Sequence, residues 1–190
     1  KNNEGLKKLF KMNQTAWTDN FYYKPRIDFE LLEELVDGDI ISLSGCMGSA
    51  ISKAIMAGDT ARAEKLSERF IKIFKDDFYY EMQSWNPKQL NDGLIDLANA
   101  YGRPVLATAD CHFPSKKDKG CEEILLMLSQ FPSISPADQR HAKDHADCLH
   151  NPSFDMVAKI NNMYPNRNLR FDDINPYVAG ADEVASWFKD

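Results

Sequence analysis

Segments with the apolar spacing of helices alternate along this chain with short apolar runs. Five segments have the three-to-four-residue apolar spacing of amphipathic helices. They are residues 4–16, 28–36, 49–57, 60–74 and 88–101. Three short apolar runs predict strands, at residues 39–44, at residues 78–83, and from Pro104 toward Asp110 and His112. Strands that alternate with helices in this way are typical of βα repeats around a parallel sheet, so the pattern predicts an α/β fold.

The last third of the chain has a different pattern. Helical spacing recurs at residues 120–130, 137–149 and 152–163, and a short closing helix is predicted at 182–188. Residues 171–178 are predicted to be extended. We therefore expect a first domain over residues 1–130 and a helical and extended C-terminal segment over residues 131–190.

Composition narrows the class of protein. With 190 residues and 43% hydrophobic content, the chain is long enough for one core. A net charge of −6 argues against a chain that binds nucleic acid over its whole surface. The sequence has no apolar run of about 20 residues, the length that spans a bilayer. Four cysteines in a chain of this size indicate cytosolic thiols or metal ligands rather than a disulfide framework, so we expect a cytoplasmic protein.

Three residues near predicted strand ends have side chains that bind metals. If Asp110 and His112 continue the third strand, they point to the same side and Cys111 to the other. A carboxylate beside an imidazole is a ready pair of metal ligands. Cys46 follows the first strand between two glycines, and its thiol could be a ligand or a packing residue. Glu81, near the end of the second strand, could face the strand-end side, or strand alternation could make it a solvent-facing or core-capping residue.

Four stretches together resemble the PHP domain (polymerase and histidinol phosphatase) of bacterial DNA polymerase III alpha subunits. They are NFYYKPRID at residues 20–28, ISLSGC at 41–46, FYYEMQ at 78–83 and PVLATADCH at 104–112. Their order and spacing match over about residues 1–130. The remainder resembles the shorter versions that bacteriophages carry.

The resemblance implies part of a distorted (βα)7 PHP barrel with a helical C-terminal extension that leads toward a polymerase core. It assigns Cys46, Asp110 and His112 as ligands of divalent metal ions, with zinc or manganese favoured because a thiolate disfavours magnesium. The family pattern also has an N-terminal half with a His-x-His pair, which this sequence lacks. We therefore expect the chain to be the C-terminal portion of the domain and the other half to be its partner.

The resemblance leaves three functions open. The first is a metal-dependent phosphoesterase with 3′–5′ exonuclease activity inside a replicative DNA polymerase, a nucleotidyltransferase that binds DNA through its other domains. In this case Lys24 and Arg26 could bind substrate phosphates, although a solvated basic turn packed on tyrosines is an alternative. The second is an inactive scaffold that docks a proofreading exonuclease subunit; Trp85 and Asn86, which replace a His-Gly element of many relatives, favour it. The third is a stand-alone PHP phosphatase.

A second group of metal-binding side chains lies further along. His141, His145 and Cys148 share one face of the predicted helix 137–149, at a spacing that a zinc site could use. The helix is otherwise polar and the resemblance places no ligands there, so we interpret it as a surface helix. Cys111, which points away from its neighbours, and Cys121, early in the predicted helix 120–130, are interpreted as packing residues.

Overall fold

In this computed structural model the described residues are 1–130, 140, 158, 161, 162, 165, 174 and 176–188. They divide into two compact units, Lys1–Thr108 and Ala109–Asp190, and each unit is described by itself. The predicted boundary at residue 130 stays a prediction. The helices predicted at 137–149 and 152–163 lie outside the described residues.

The first unit follows the predicted order of elements. Its helices are α1 (Asn3–Thr18), α2 (Phe29–Leu35), α3 (Ala50–Met56), α4 (Thr60–Phe74) and α5 (Lys88–Tyr101). Its strands are β1 (Ser42–Leu43), β2 (Phe78–Gln83) and β3 (Val105–Thr108). The second unit contains α6 (Lys119–Gln130) and α7 (Ala181–Ser186). None of the helices among the described residues is long and apolar enough to cross a membrane.

The three strands form one parallel sheet in the order β1-β2-β3. Ser42 pairs with Phe78 on one side of β2, and Tyr80 pairs with Val105 on the other. Parallel neighbours need a crossover connection, and here α3 and α4 link β1 to β2 while α5 links β2 to β3. The predicted α/β class is therefore confirmed.

Local signals in the sequence explain where the helices begin and end. Asp28, Ser49 and Asp59 are the N-caps of α2, α3 and α4, and each side chain accepts a backbone N–H from the first turn. Gly102 ends α5 in the left-handed conformation, at φ +59°, which glycine adopts without steric cost. These caps lie at or next to the bounds that the apolar spacing predicted for the four helices.

The core of the first unit lies between the helices and one face of β2. Its most deeply buried side chains are Ile51, Phe78, Tyr80, Leu90 and Leu94. Phe78 and Tyr80 are two residues apart on β2, so their side chains share one face. Their rings pack edge to face, with centroids 5.1 Å apart. Burial raises the pKa of the Tyr80 hydroxyl. The helices cover this face of β2. Because side chains alternate along a strand, the opposite face carries Tyr79, Glu81 and Gln83.

Helix α1 is attached to the segment before β1 through Asp39. The Lys8 ammonium donates to Asp39 at 2.8 Å, and Asn2 Nδ2 donates to the same carboxylate at 2.7 Å. These two hydrogen bonds lower the pKa of Asp39 to about 2, and the one from Lys8 has the larger effect. Gly5 lies so close that a Cβ on it would be 2.5 Å from the Asp39 carbonyl oxygen. The close approach therefore depends on glycine.

The second unit has its own small apolar cluster. Phe113 and Tyr177 are buried and stack with ring centroids 6.1 Å apart, and Trp187, which caps the end of α7, packs edge to face on Tyr177. The backbone of Phe113 pairs with that of Tyr177 in a parallel bridge. Within the predicted extended segment 171–178, the described residues are continuous only at 176–178, and Tyr177 among them forms this bridge.

Several apolar side chains of the predicted helices are exposed. In α1, Met12 and Ala16 are buried, while Leu6, Leu9 and Phe10 are exposed. Leu125 of α6 is also exposed, although the spacing placed it inward. Helical spacing shows which side chains share a face, but not whether a neighbour covers that face.

We expect Gly5→Ala to destabilise the protein. Alanine gains about 1 kcal/mol of helix propensity over glycine, but forcing an atom into a packed contact costs typically about 1–3 kcal/mol. The contacted atom is a backbone oxygen, which cannot rotate away. Urea unfolding of the variant and the wild type measures the difference.

Gly93→Ala is the matched control, because its Cβ would meet the Ile55 side chain at 2.6 Å, and a side chain can change rotamer. Its free energy of unfolding should therefore change less than that of Gly5→Ala. Equal losses would show that the backbone contact at Asp39 is not the cause.

Candidate functional site

The carboxyl ends of the three strands meet at one edge of the sheet. Cys46 lies in the turn that follows β1, where Gly45 has φ +80° and the Ser49 N–H donates to the Cys46 carbonyl at 2.9 Å. The Cys46 side chain is exposed rather than buried, so it is not a core packing residue. Its thiol is therefore accessible at this edge, as a ligand needs to be.

Glu81 is the central polar residue at this edge, and its side chain is 8% exposed. The Thr108 hydroxyl of β3 donates to Glu81 Oε1 at 2.5 Å, and Gln83 Nε2 donates to the same oxygen at 3.3 Å. The Glu81 backbone N–H donates to Ser44 Oγ, beyond β1, at 2.9 Å. Residues from all three strand ends are therefore joined through Glu81. The sequence left the orientation of Glu81 open; in the structure its carboxylate is buried and hydrogen-bonded rather than solvent-facing.

Gln83 and Asn86 extend this polar edge toward α5. Asn91 Nδ2 donates to the Gln83 carbonyl at 3.0 Å, and Asn86 Nδ2 donates to Asn91 Oδ1 at 3.0 Å. Both Gln83 and Asn86 are buried, yet Gln83 Oε1 and Asn86 Oδ1 have no hydrogen-bond partner among the described residues. Two buried acceptors of this kind are expected to find a donor in water or in a bound group.

Asp110 and His112 lie in the second unit and not in a strand. Strand β3 ends at Thr108 and Asp110 has φ +42°, so the strand alternation that was expected to align the two side chains is wrong. Asp tolerates this left-handed conformation better than most residues. A different interaction orders the pair: His112 Nδ1 lies 2.6 Å from the Asp110 carbonyl oxygen.

The backbone also holds this loop. The His112 N–H donates to the Pro176 carbonyl at 2.6 Å, and the neighbouring Phe113 is buried against Tyr177. Because Nδ1 faces a carbonyl oxygen, it carries the proton in a neutral ring and Nε2 carries the lone pair. Metal-bound histidines commonly use one ring nitrogen in this way while the other binds the ion. The donor chemistry of Asp110 and His112 therefore fits a divalent metal.

A complete metal centre is not seen within the described part of the chain. No three side chains of His, Cys, Asp or Glu in it are grouped so that they could hold an ion. Cys46 belongs to the first unit and the Asp110–His112 pair to the second. The metal-ligand assignment of these three residues stays a prediction. The group of His141, His145 and Cys148 lies outside the described residues.

Lys24 and Arg26 lie in an exposed turn between α1 and α2. Tyr22 and Lys24 form an isolated antiparallel bridge around Tyr23, which has φ +59°. The Arg26 guanidinium lies 4.9 Å from the centroid of the Tyr22 ring, a cation–π distance. This contact is the tyrosine packing that the sequence offered as the alternative to phosphate binding. The Lys24 and Arg26 side chains nevertheless remain exposed, as a contact with phosphate requires.

Sequence reasoning missed Ser44 and Thr108 as parts of the site and was wrong about two cysteines. Cys111 and Cys121 were interpreted as packing residues, but both are exposed. Ser44 and Thr108 stand two residues before Cys46 and Asp110 respectively. The sequence feature that could have identified them is this hydroxyl residue two positions before each proposed ligand. Its role becomes clear only once the hydrogen bonds to Glu81 are known.

Comparison with known proteins gives one family match and a set of relatives. The PHP domain model matches residues 1–85, which include Cys46 and Glu81 but not Asp110 or His112. The chain is 34% identical over 153 residues to DNA polymerase III subunit alpha of Aquifex aeolicus, 79% of this chain and 13% of the relative. It is also 35% identical over 138 residues to DNA polymerase III subunit alpha of Thermus aquaticus, and 36% identical over 149 residues to that of Deinococcus radiodurans. These two matches cover 71% and 76% of this chain. The chain spans only 11–13% of the length of these relatives.

We expect Thr108→Val to destabilise the first unit by about 1–3 kcal/mol, because it removes the hydroxyl that donates to the buried Glu81 carboxylate. Valine keeps the branched shape and the strand preference of threonine. Thr60→Val is the matched control, since Thr60 is exposed at the start of α4. Urea unfolding measures both. A Thr108→Val protein as stable as the control would show that this hydrogen bond contributes little.

Proposed function

Because residues 1–85 belong to the PHP domain family and most of the chain is homologous to DNA polymerase III alpha subunits, we propose that the chain is a segment of a replicative DNA polymerase. The identity is spread over at least two thirds of the chain in all three relatives, which supports one continuous homologous segment. The DNA-directed polymerising activity would belong to the whole protein, and its own catalytic carboxylates would lie outside this segment.

We further propose that the parallel sheet is part of a (βα)7 barrel. Strand β2 supports this, since helices cover one of its faces while the other carries Tyr79, Glu81 and Gln83, as the interior face of a barrel strand would. The remaining strands would come from an N-terminal half supplied by the longer polypeptide. In such barrels the carboxyl ends of the strands carry the active site, which agrees with the position of Cys46.

The module is proposed to bind divalent metal ions and to hydrolyse phosphodiesters from a 3′ end. Cys46, Asp110 and His112 would hold the ions together with ligands from the N-terminal half, and the thiolate favours zinc or manganese over magnesium. A bound ion would lower the pKa of a water molecule and offset charge on phosphoryl oxygens. The single observation that carries this proposal is the exposed Cys46 thiol, which follows β1 at the carboxyl edge of the parallel sheet.

A scaffold function is the second candidate, and Trp85 and Asn86 favour it. They stand where many relatives carry a His-Gly element, so this chain has no imidazole there, and the buried Asn86 donates to Asn91 instead. A domain of this kind would hold the polymerase together and could dock a proofreading exonuclease subunit. No feature of the described residues favours a stand-alone phosphatase. A cytoplasmic location follows from the polymerase proposal.

The longest natural form of the protein, purified without chelator, should contain more than one equivalent of zinc or manganese. Asp110→Asn should lower that content, because it removes a negative ligand while keeping a residue that tolerates the left-handed backbone. Elemental analysis of the purified proteins measures the effect. Cys111→Ser, an exposed change between the two proposed ligands, is the control and should keep the metal.

The same variants separate the two candidate functions. Loss of hydrolysis of a 3′-mismatched primer in Asp110→Asn, with polymerisation retained, would support the phosphoesterase. A folded, metal-free wild-type protein would instead favour the scaffold.

Lys24 and Arg26 are proposed to contact the phosphate backbone of DNA. Replacing both with alanine in the longest natural form should reduce the slope of log K against log salt by about 2, because each phosphate contact contributes roughly 0.9. DNA-binding titrations at several salt concentrations measure this slope. The control is Arg62→Ala with Lys65→Ala, two exposed cations of α4. An equal change in both double variants would indicate a general charge effect and contradict the assignment.

A further inference from the structure

We propose that Glu81 is a positioning residue for metal binding: its carboxylate and its backbone join the ends of β1 and β3 just before the chain reaches Cys46 and Asp110. The inference rests on the proposed metal site. Glu81 is not itself proposed as a ligand. It acts through the residues that precede the ligands in the sequence.

The hydrogen bonds of Glu81 run in both directions across the sheet. Toward β1, its N–H donates to Ser44 Oγ at 2.9 Å, and the Ser44 N–H donates to the Tyr79 carbonyl at 2.9 Å. Toward β3, its Oε1 accepts the Thr108 hydroxyl at 2.5 Å. Strand β1 has only two residues, so Ser44 continues the pairing where the regular ladder has ended. The side-chain contacts therefore extend the sheet at its carboxyl edge.

The spacing connects these contacts to the proposed ligands. Ser44-Gly45-Cys46 and Thr108-Ala109-Asp110 each place one residue between the anchored position and the ligand. An anchored residue two positions upstream restricts where the ligand Cα can lie, because a trans peptide fixes consecutive Cα atoms 3.8 Å apart. The hydrogen bonds that hold Ser44 and Thr108 to Glu81 thus restrict the backbone positions of Cys46 and Asp110 in the same way.

Burial indicates that Glu81 is held for a purpose other than packing. A buried carboxylate without partners is costly, and an apolar residue at this position would avoid the cost. Here the Gln83 amide also donates to Oε1 at 3.3 Å, so the same oxygen accepts two hydrogen bonds. Residues that orient metal ligands through hydrogen bonds typically change metal affinity by 10- to 100-fold when they are mutated, about the effect expected here.

The test compares Glu81→Leu with Glu81→Gln in the longest natural form of the protein. Leucine removes the acceptor and should lower the affinity for Zn²⁺ by roughly 10- to 100-fold in competition titrations. Glutamine keeps an acceptor oxygen for Thr108 and should lose much less. With Co²⁺ as the probe, the thiolate-to-cobalt absorption from Cys46 should weaken in the leucine variant and persist in the glutamine variant. Cys46→Ser identifies that band.

Loss of stability alone must be kept apart from loss of positioning. Ile73→Val shortens a buried core residue away from the polar edge and is the control for destabilisation, so it should keep wild-type Zn²⁺ affinity. If Glu81→Leu does not fold, Thr108→Val provides the second variant, since it removes the donor to Oε1 and should lower affinity in the same direction.

The outcomes distinguish this inference from the function on which it rests. Wild-type protein that binds Zn²⁺, with folded Glu81→Leu or Thr108→Val binding it equally well, would overturn the inference alone. Glutamine failing as badly as leucine would also overturn it, because a charge effect would then replace the hydrogen bonds. Wild-type protein that binds neither Zn²⁺ nor Co²⁺ would remove the proposed metal site and the inference together.

Discussion

The parallel pairing of β2 with both of its neighbours is the constraint on which the rest of the first unit depends. Parallel strands cannot be joined by tight turns, so α3, α4 and α5 must cross over the sheet. These helices cover one face of β2 and bury Phe78 and Tyr80, the centre of the apolar core. The same pairing brings the carboxyl ends of all three strands to one edge. Core and candidate site are therefore two consequences of one strand arrangement.

The two faces of β2 carry opposite chemistry, and this explains why the edge is polar. The helix-covered face is apolar, as a buried sheet face requires. The other face carries Glu81 and Gln83, which are also buried, and buried polar groups need partners. Glu81 finds them in Thr108, Ser44 and Gln83. The sheet thus ends in a set of hydrogen bonds that depend on all three strands being in register.

The sequence predicted the parts of this fold that local patterns control. Helix bounds agreed closely because Asp28, Ser49, Asp59 and Gly102 are strong caps, and β2 was predicted over its whole length, residues 78–83. Predictions that needed knowledge of neighbours were weaker. Apolar spacing could not show that Leu6, Leu9 and Phe10 of α1 would be exposed. An apolar stripe indicates a face, while its burial depends on what packs there.

The candidate site shows the same limit more sharply. Residue chemistry singled out Cys46, Asp110 and His112, but the reasoning that aligned the last two assumed a strand, and β3 ends at Thr108. Glu81 could not be oriented from the sequence, since its partners on the neighbouring strands, Thr108 and Ser44, are 27 and 37 residues away.

Both proposed ligand segments leave regular structure just before the ligands, through Gly45 at φ +80° on one side and Asp110 at φ +42° on the other. Turns of this kind have little intrinsic rigidity, so their order must come from anchored residues on either side of the ligands. In the first unit that anchoring comes from the strand-end hydrogen bonds. In the second it comes from the Pro176 carbonyl, which accepts the His112 N–H, and from the stacking of Phe113 on Tyr177. The sheet and the Phe113–Tyr177 cluster are therefore the rigid elements on which any ligand geometry at Cys46, Asp110 and His112 would depend.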